Sequence, residues 1–216
     1  MDDLNVRLSA VAVDYGMWMQ PLFRRDGTML WPRFDDDPNS HVLLAYQPGK
    51  SKQALDLLEM MSFDPAIDVV RTDLMKSHRE RRAFIRDLAA RVDTASRMKT
   101  IVVIDGLDSL VGGLRRESTL DAVLRDLEHV LAHGPAVGVH VVLLTSADDE
   151  SAKMVSGLDV AWHTQALVGS MSPVVLAALC PSCPVMQNTV VRKRRCAVIV
   201  LSDSRSRHAG LVDIRR

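Results

Sequence analysis

From His41 onward, short apolar runs alternate with longer segments of helical periodicity. His41-Val-Leu-Leu-Ala45, Ile67-Asp-Val-Val-Arg71, Thr100-Ile-Val-Val-Ile-Asp105, Val139-His-Val-Val-Leu-Leu-Thr145 and Gln165-Ala-Leu-Val168 read as strands. Their apolar positions are mostly consecutive, the pattern of strands covered on both faces. Ser51–Met61 is predicted as a helix, with Ala54, Leu55, Leu57, Leu58 and Met61 turned inward. Ser77–Ala95 is predicted as a charged helix, with Phe84, Ile85, Leu88 and Val92 on one face. Leu120, Val123, Leu124, Leu127, Val130 and Leu131 mark a further helix, which Gly134 is expected to end. Ser172-Pro173 predicts the start of a short helix, with Ser as cap and Pro in the first turn. Cys196–Leu201 and Ala209–Ile214 predict a hairpin across a polar turn. Strands alternating with helices imply an α/β, three-layer domain with a mainly parallel central sheet. The crossover rule then sets Ala45, Asp105 and Thr145 at the carboxyl ends of neighbouring strands.

Residues 1–38 break this rhythm and read as a short N-terminal arm before a main domain at 39–216. Trp18, Phe23, Trp31 and Phe34 are scattered among Pro21, Gly27 and Pro32, and Asp26-Gly27 predicts a tight hairpin. These aromatics either cap a core edge or form an interface.

Two short motifs suggest chemistry. Gly49-Lys50-Ser51 follows the first strand of the main domain and opens its helix. This is the second half of a phosphate-binding loop. There the Lys would reach terminal phosphates and the Ser hydroxyl would hold Mg²⁺. About fifty residues on, Asp105 ends a buried strand, where a carboxylate commonly holds the same ion. The candidate ATP-binding residues are Gly49, Lys50, Ser51, Asp105 and Thr145, with Ser51 and Asp105 as Mg²⁺ ligands. Thr145 stands where a polar side chain often senses the terminal phosphate. Both motifs depart from a working pattern. The leading Gly of the loop is replaced by Leu44, Pro48 lacks an N–H, and Gly106 occupies the place of a water-orienting Glu. No catalytic residue is assigned, and an isolated chain is expected to turn over ATP at or near background.

Composition narrows the classes. Apolar residues make up 47% of 216, enough for one sizeable core, and 27 basic residues balance 27 acidic ones. Arg192–Arg216 holds eight Lys or Arg against two Asp, without interleaved aromatics, so weak or no duplex binding is expected there. Three cysteines do not make a disulfide scaffold. Cys180-Pro-Ser-Cys183 has the spacing of half a zinc site or a redox pair, and reads otherwise as two ordinary loop thiols. No leader is visible, and no apolar run approaches the ~20 residues that span a bilayer, so a cytoplasmic location is expected, with any membrane link through other domains.

The stretch Gly138-Val-His140-Val-Val-Leu-Leu-Thr145, with Asp105-Gly-Leu-Asp-Ser-Leu110 before it and Pro38-Asn-Ser-His41-Val-Leu-Leu-Ala45 at the entry, resembles the FtsK/SpoIIIE family of motor ATPases. The resemblance runs from about residue 38 to 201 and is closest from Ile101 to Val168. It implies a RecA-like fold, ATP at a subunit interface, and assembly with other copies or neighbouring ATPase domains. The family moves double-stranded DNA or, in its type VII secretion branch, engages protein cargo. That branch chains several such domains, some of them degenerate. Three readings follow: a degenerate regulatory or scaffolding ATPase domain, an active DNA translocase, and a nucleotide-free interaction module.

Overall fold

The computed structural model describes residues 22–23, 29–30, 40–61, 63, 65–95, 98–111, 117–160, 162–180, 196–202 and 207–214. Nine strands and six helices are assigned among them. The strands are β1 (Leu22–Phe23), β2 (Met29–Leu30), β3 (Val42–Tyr46), β4 (Asp68–Arg71), β5 (Thr100–Asp105), β6 (Val139–Ser146), β7 (Thr164–Val168), β8 (Cys196–Ser202) and β9 (Arg207–Asp213). The helices are α1 (Ser51–Met60), α2 (His78–Val92), α3 (Leu107–Val111), α4 (Glu117–His133), α5 (Asp149–Ser156) and α6 (Pro173–Leu179). The expected strands and helices are all present, with ends shifted by a few residues. β1 and β2 pair antiparallel, and the expected turn at Asp26-Gly27 lies outside the described residues. Trp18, Trp31, Gly112-Gly113, Cys183 and Arg192–Arg195 lie outside the described residues.

The main sheet runs β4-β5-β6-β3-β7-β8-β9. Its first five strands are parallel, and β8 and β9 add an antiparallel hairpin at one edge. This order dictates where the helices go. The step from β3 to β4 crosses the sheet in one direction, while β4 to β5 to β6 to β7 returns in the other. With right-handed crossovers, α1 must cover one face and α2, α4 and α5 the opposite face. The core divides that way. Ala54, Leu57 and Leu58 of α1 pack with Val42, Leu44, Ile101, Val103, Val142 and Leu144. Ile85 and Leu88 of α2, Leu127 and Val130 of α4, and Val155 of α5 pack with Leu43, Val102, Ile104, Val141 and Leu143. Each fully buried Val, Leu or Ile contributes about 1.5–3 kcal/mol, so the two-sided strands carry much of the stability. The fold is α/β, a RecA-like sandwich.

α2 begins at Ser77, whose hydroxyl accepts from Glu80 N, and α6 at Ser172, whose hydroxyl accepts from Val175 N. Gly134 does follow the last residue of α4, but its backbone is right-handed (φ −54°). A Cβ there would collide with the carbonyl oxygens of Val130 and Val139, so close approach, not a left-handed turn, requires the glycine. The left-handed position is Gly138 (φ 77°), which turns the chain into β6.

The amino edge of the sheet is closed by a buried polar cluster. His41 Nδ1 accepts from Val141 N at 3.0 Å, and its Nε2–H donates to Leu131 O at 2.7 Å. Those two bonds fix a neutral tautomer. Burial pushes the His41 pKa down to about 4, against the raising effect of its bond to Leu131. His140 Nδ1–H donates to Ser40 O at 2.9 Å, and Trp162 meets the His41 ring edge-on at 6.4 Å.

Candidate functional site

The carboxyl edge brings the sequence motifs to one rim. β3 leads into Gln47-Pro48-Gly49-Lys50, which closes as a tight turn through Lys50 N–H to Gln47 O at 2.8 Å. Pro48 takes the second position and Gly49 (φ 83°) the third, the arrangement of a type II turn. Gln47 ties the turn to the end of β7. Its N–H donates to Val168 O at 2.8 Å, and its Oε1 accepts from Ser170 N at 3.0 Å. Gly169 (φ 87°) makes room, because a Cβ there would stand 2.8 Å from Gln47 Cβ and Oε1.

A phosphate nest is built from consecutive backbone N–H groups that point into one concavity. In this turn the Gln47 and Lys50 amides are already bonded, and Pro48 has none. The amides of Gly49, Ser51 and Lys52 have no partner among the described residues. Ser51 is exposed at the first position of α1, which has no side-chain cap. Of the four residues of the turn, only Gly49 thus keeps an amide without a partner among the described residues.

Asp105 ends β5 opposite Leu144, which stands opposite Leu44 of β3. Two strand spacings separate it from β3, roughly 10 Å. Asp105 and Leu44 project to the same face as α1, because strand side chains alternate and Val103, Leu44 and Leu144 all pack there. Thr145 pairs with Ala45, one step further along, and so projects to the other face. It is buried, and its hydroxyl donates to Ser146 O at 3.3 Å. Asp105 and Thr145 thus sit at neighbouring strand ends with their side chains on opposite faces.

Asp105 is half-buried. Burial raises its pKa most, then the charges of Asp73 and Asp108, while Arg71 and Arg81 pull it down. Its N–H donates to the buried Thr72 hydroxyl at 3.3 Å. Arg81 Nε donates to Thr72 O at 2.9 Å, and Arg71 grips Asp73 through two bonds of 3.1 and 2.8 Å. Arg71 holds the Asp73 carboxyl below its ordinary range. The cations acting on Asp105 are therefore Arg71 and Arg81; among the described residues no ion pair joins it to Lys50. The Lys50 stem passes the Gly169 side of the rim instead.

Tyr46 completes the rim. Burial raises its pKa, followed by the charges of Asp105, Asp108 and Asp148. Asp148 caps α5, accepting from Ser151 N at 2.8 Å. Gly106 adopts φ 81°, and a Cβ there would collide with the Asp108 carboxylate. Among the described residues no three His, Cys, Asp or Glu side chains converge to hold a metal. Sequence reasoning missed Tyr46, Arg71, Asp73 and Arg81. Arg71 carried a signal, since it ends a strand parallel to β5.

Cys180 is buried, and its thiol donates to Gln165 Oε1 at 2.8 Å, while Gln165 Nε2 donates to Leu179 O at 2.9 Å. This half of the Cys-Pro-Ser-Cys motif is a core contact. No helix among the described residues is long and apolar enough to cross a membrane.

No family model matches the sequence, and no curated protein matches it. Solved structures do match by shape. The cytoplasmic domain of the type VII secretion ATPase EccC of Thermomonospora curvata superposes with a TM-score of 0.61 and 12% identity, over 92% of this chain and 28% of that one. The pCW3 conjugation coupling protein TcpA, in a monomer form with ATPγS, gives 0.61 and 11%, over 92% of this chain and 66% of the other. VirB4 of Thermoanaerobacter pseudethanolicus gives 0.57 and 9%, over 91% and 96%. The chain spans under a third of the EccC domain and about two thirds of TcpA. At these identities the likeness establishes a shared fold, and it agrees with the resemblance read from the sequence.

Proposed function

We propose that this chain is a degenerate FtsK/SpoIIIE-type P-loop ATPase domain, a regulatory or scaffolding module of a larger translocase or secretion motor. It hydrolyses ATP weakly or not at all. The observation that carries this reading is the closed Gln47–Lys50 turn, in which Lys50 N–H bonds to Gln47 O. Phosphoryl transfer depends almost wholly on holding the phosphates and stabilising their charge. A turn that uses the Gln47 and Lys50 amides internally, lacks an N–H at Pro48 and is tied to Ser170 does neither well. Gly106 adds to the defect. No side chain orients water there, and its left-handed backbone disfavours a replacement Glu.

Partners follow from the fold. Other copies or neighbouring ATPase domains of the motor pack against this module in the cytoplasm, and they supply the contacts to DNA or to a secreted protein. The shared fold of EccC, TcpA and VirB4 supports this placement. If the chain takes nucleotide, Ser51 and Asp105 are the residues placed to meet Mg²⁺, with Gly49 and Lys50 beside the phosphates and Thr145 behind the rim.

The test is calorimetric titration with Mg·ATP together with phosphate release by wild type, Lys50→Ala and Gly106→Glu. Release at background in all three is expected. Robust wild-type turnover that Lys50→Ala abolishes would overturn the proposal and establish an active motor.

A further inference from the structure

We propose a second site, remote from the rim: a reversible site for a late first-row divalent metal, held by the imidazoles of His129 and His133. Both lie in the last turns of α4, four residues apart and so on one side of the helix. Their rings stand with centroids 4.6 Å apart at an interplanar angle of 47°. A helical His pair at this spacing can chelate one ion, as in other helix-borne zinc sites.

The surroundings add what such a ligand pair needs. His129 Nε2 lies 2.7 Å from Asp93 Oδ1, at the carboxyl end of α2. An ionised carboxylate only accepts, so Nε2 is the donor, and in the neutral imidazole Nδ1 keeps its lone pair. A carboxylate behind the non-ligating nitrogen is the usual support of a metal-bound His, fixing its tautomer and raising its basicity. Position favours a cation as well, because the final carbonyls of α4 concentrate negative potential at this end. Arg125, one turn earlier, is turned to Asp121 O at 3.2 Å. His133 is exposed and free to rotate onto an ion. Two imidazoles select zinc, nickel or copper over magnesium or calcium. With no third protein ligand converging among the described residues, water fills the remaining positions and the ion exchanges readily. The plainer role, an Asp93–His129 pair stapling α2 to α4, requires nothing of His133.

That difference sets the experiment. The full chain is titrated with ZnCl₂, and separately with NiCl₂, in a non-chelating buffer at neutral pH. One saturable site is expected. His133→Ala leaves the Asp93–His129 bond in place and should abolish it, with the metal-free melting temperature unchanged. Asp93→Asn should keep one ion per chain but weaken binding about tenfold. Absence of saturable binding, or equal binding by His133→Ala, overturns the proposal. Undiminished affinity in Asp93→Asn overturns the supporting role given to Asp93.

Discussion

The two edges of the sheet treat polar groups in opposite ways. At the amino edge, His41 and His140 are buried, neutral in the case of His41, and bonded to backbone. At the carboxyl edge, Asp105, Asp73, Arg71 and Tyr46 are only partly buried and carry shifted pKa values. The residues that carry the family resemblance most distinctively, Gly138-Val-His140, belong to the first edge, as does His41. They hold strands together. The candidate nucleotide residues Gly49, Lys50, Ser51 and Asp105 belong to the second, where a hydrogen bond closes the Gln47–Lys50 turn and a left-handed Gly106 follows Asp105. A fold can keep its scaffold residues while its reactive rim changes, because the two sets lie at opposite ends of the same strands.

This contrast can be broken most directly at His41. His41→Ala should cost about 3–4 kcal/mol in chemical denaturation, since Val141 N–H and Leu131 O lose their buried partner and a cavity opens. A loss below about 1 kcal/mol would show that the amino edge is not the structural anchor described.

Acidification probes the same group. Its folded pKa is depressed from 6.5 to about 4. The unfolded chain therefore binds the proton first, and the His41 contribution is complete above about pH 6.5 and lost as pH falls towards 4. The linked loss is about 3 kcal/mol. Stability measured in steps from pH 7.5 to 4 should decline more steeply in wild type than in His41→Asn. Parallel profiles would contradict a neutral, buried His41.

At the other edge, Gly169→Ala tests the tie between turn and β7. A side chain there meets Gln47 and a left-handed backbone, so a loss of about 2 kcal/mol is expected by urea denaturation. No loss would mean that the turn is not held as described. The smallest effect belongs to Arg71→Ala, whose ion pair is partly exposed. Stability should change by less than about 1 kcal/mol, while the Asp73 and Asp105 carboxyls both titrate higher by NMR. An unmoved Asp105 would remove Arg71 from its surroundings.

Much of the scaffold was legible in the sequence. Consecutive buried residues in β3, β5 and β6 give runs that no amphipathic helix would show, and Ser77 and Ser172 announce their helices. The rim was legible only in part. Pro48-Gly49 foretold a short turn, but its tie to Ser170 joins residues 123 positions apart and leaves no local pattern. The face taken by Thr145 depends on register: Asp105 pairs with Leu144, and a shift of one residue would place both side chains together. Gly134 read as the stop of its helix, and it does follow the last helical residue. Its reason, two crowding carbonyls, is visible only in three dimensions.

The strand order also shapes how the chain must be made. β3 lies between β6 and β7, whose paired residues follow it by about a hundred positions or more. As synthesis proceeds, Val42–Ala45 leaves the ribosome long before either neighbour exists, and both hydrogen-bonding edges of the central strand stay open. Such non-local pairing slows folding and prolongs exposure of a sticky segment. Any product terminated before residue 164 keeps one edge of that strand bare, and is destined for chaperones or aggregates rather than for a smaller working domain.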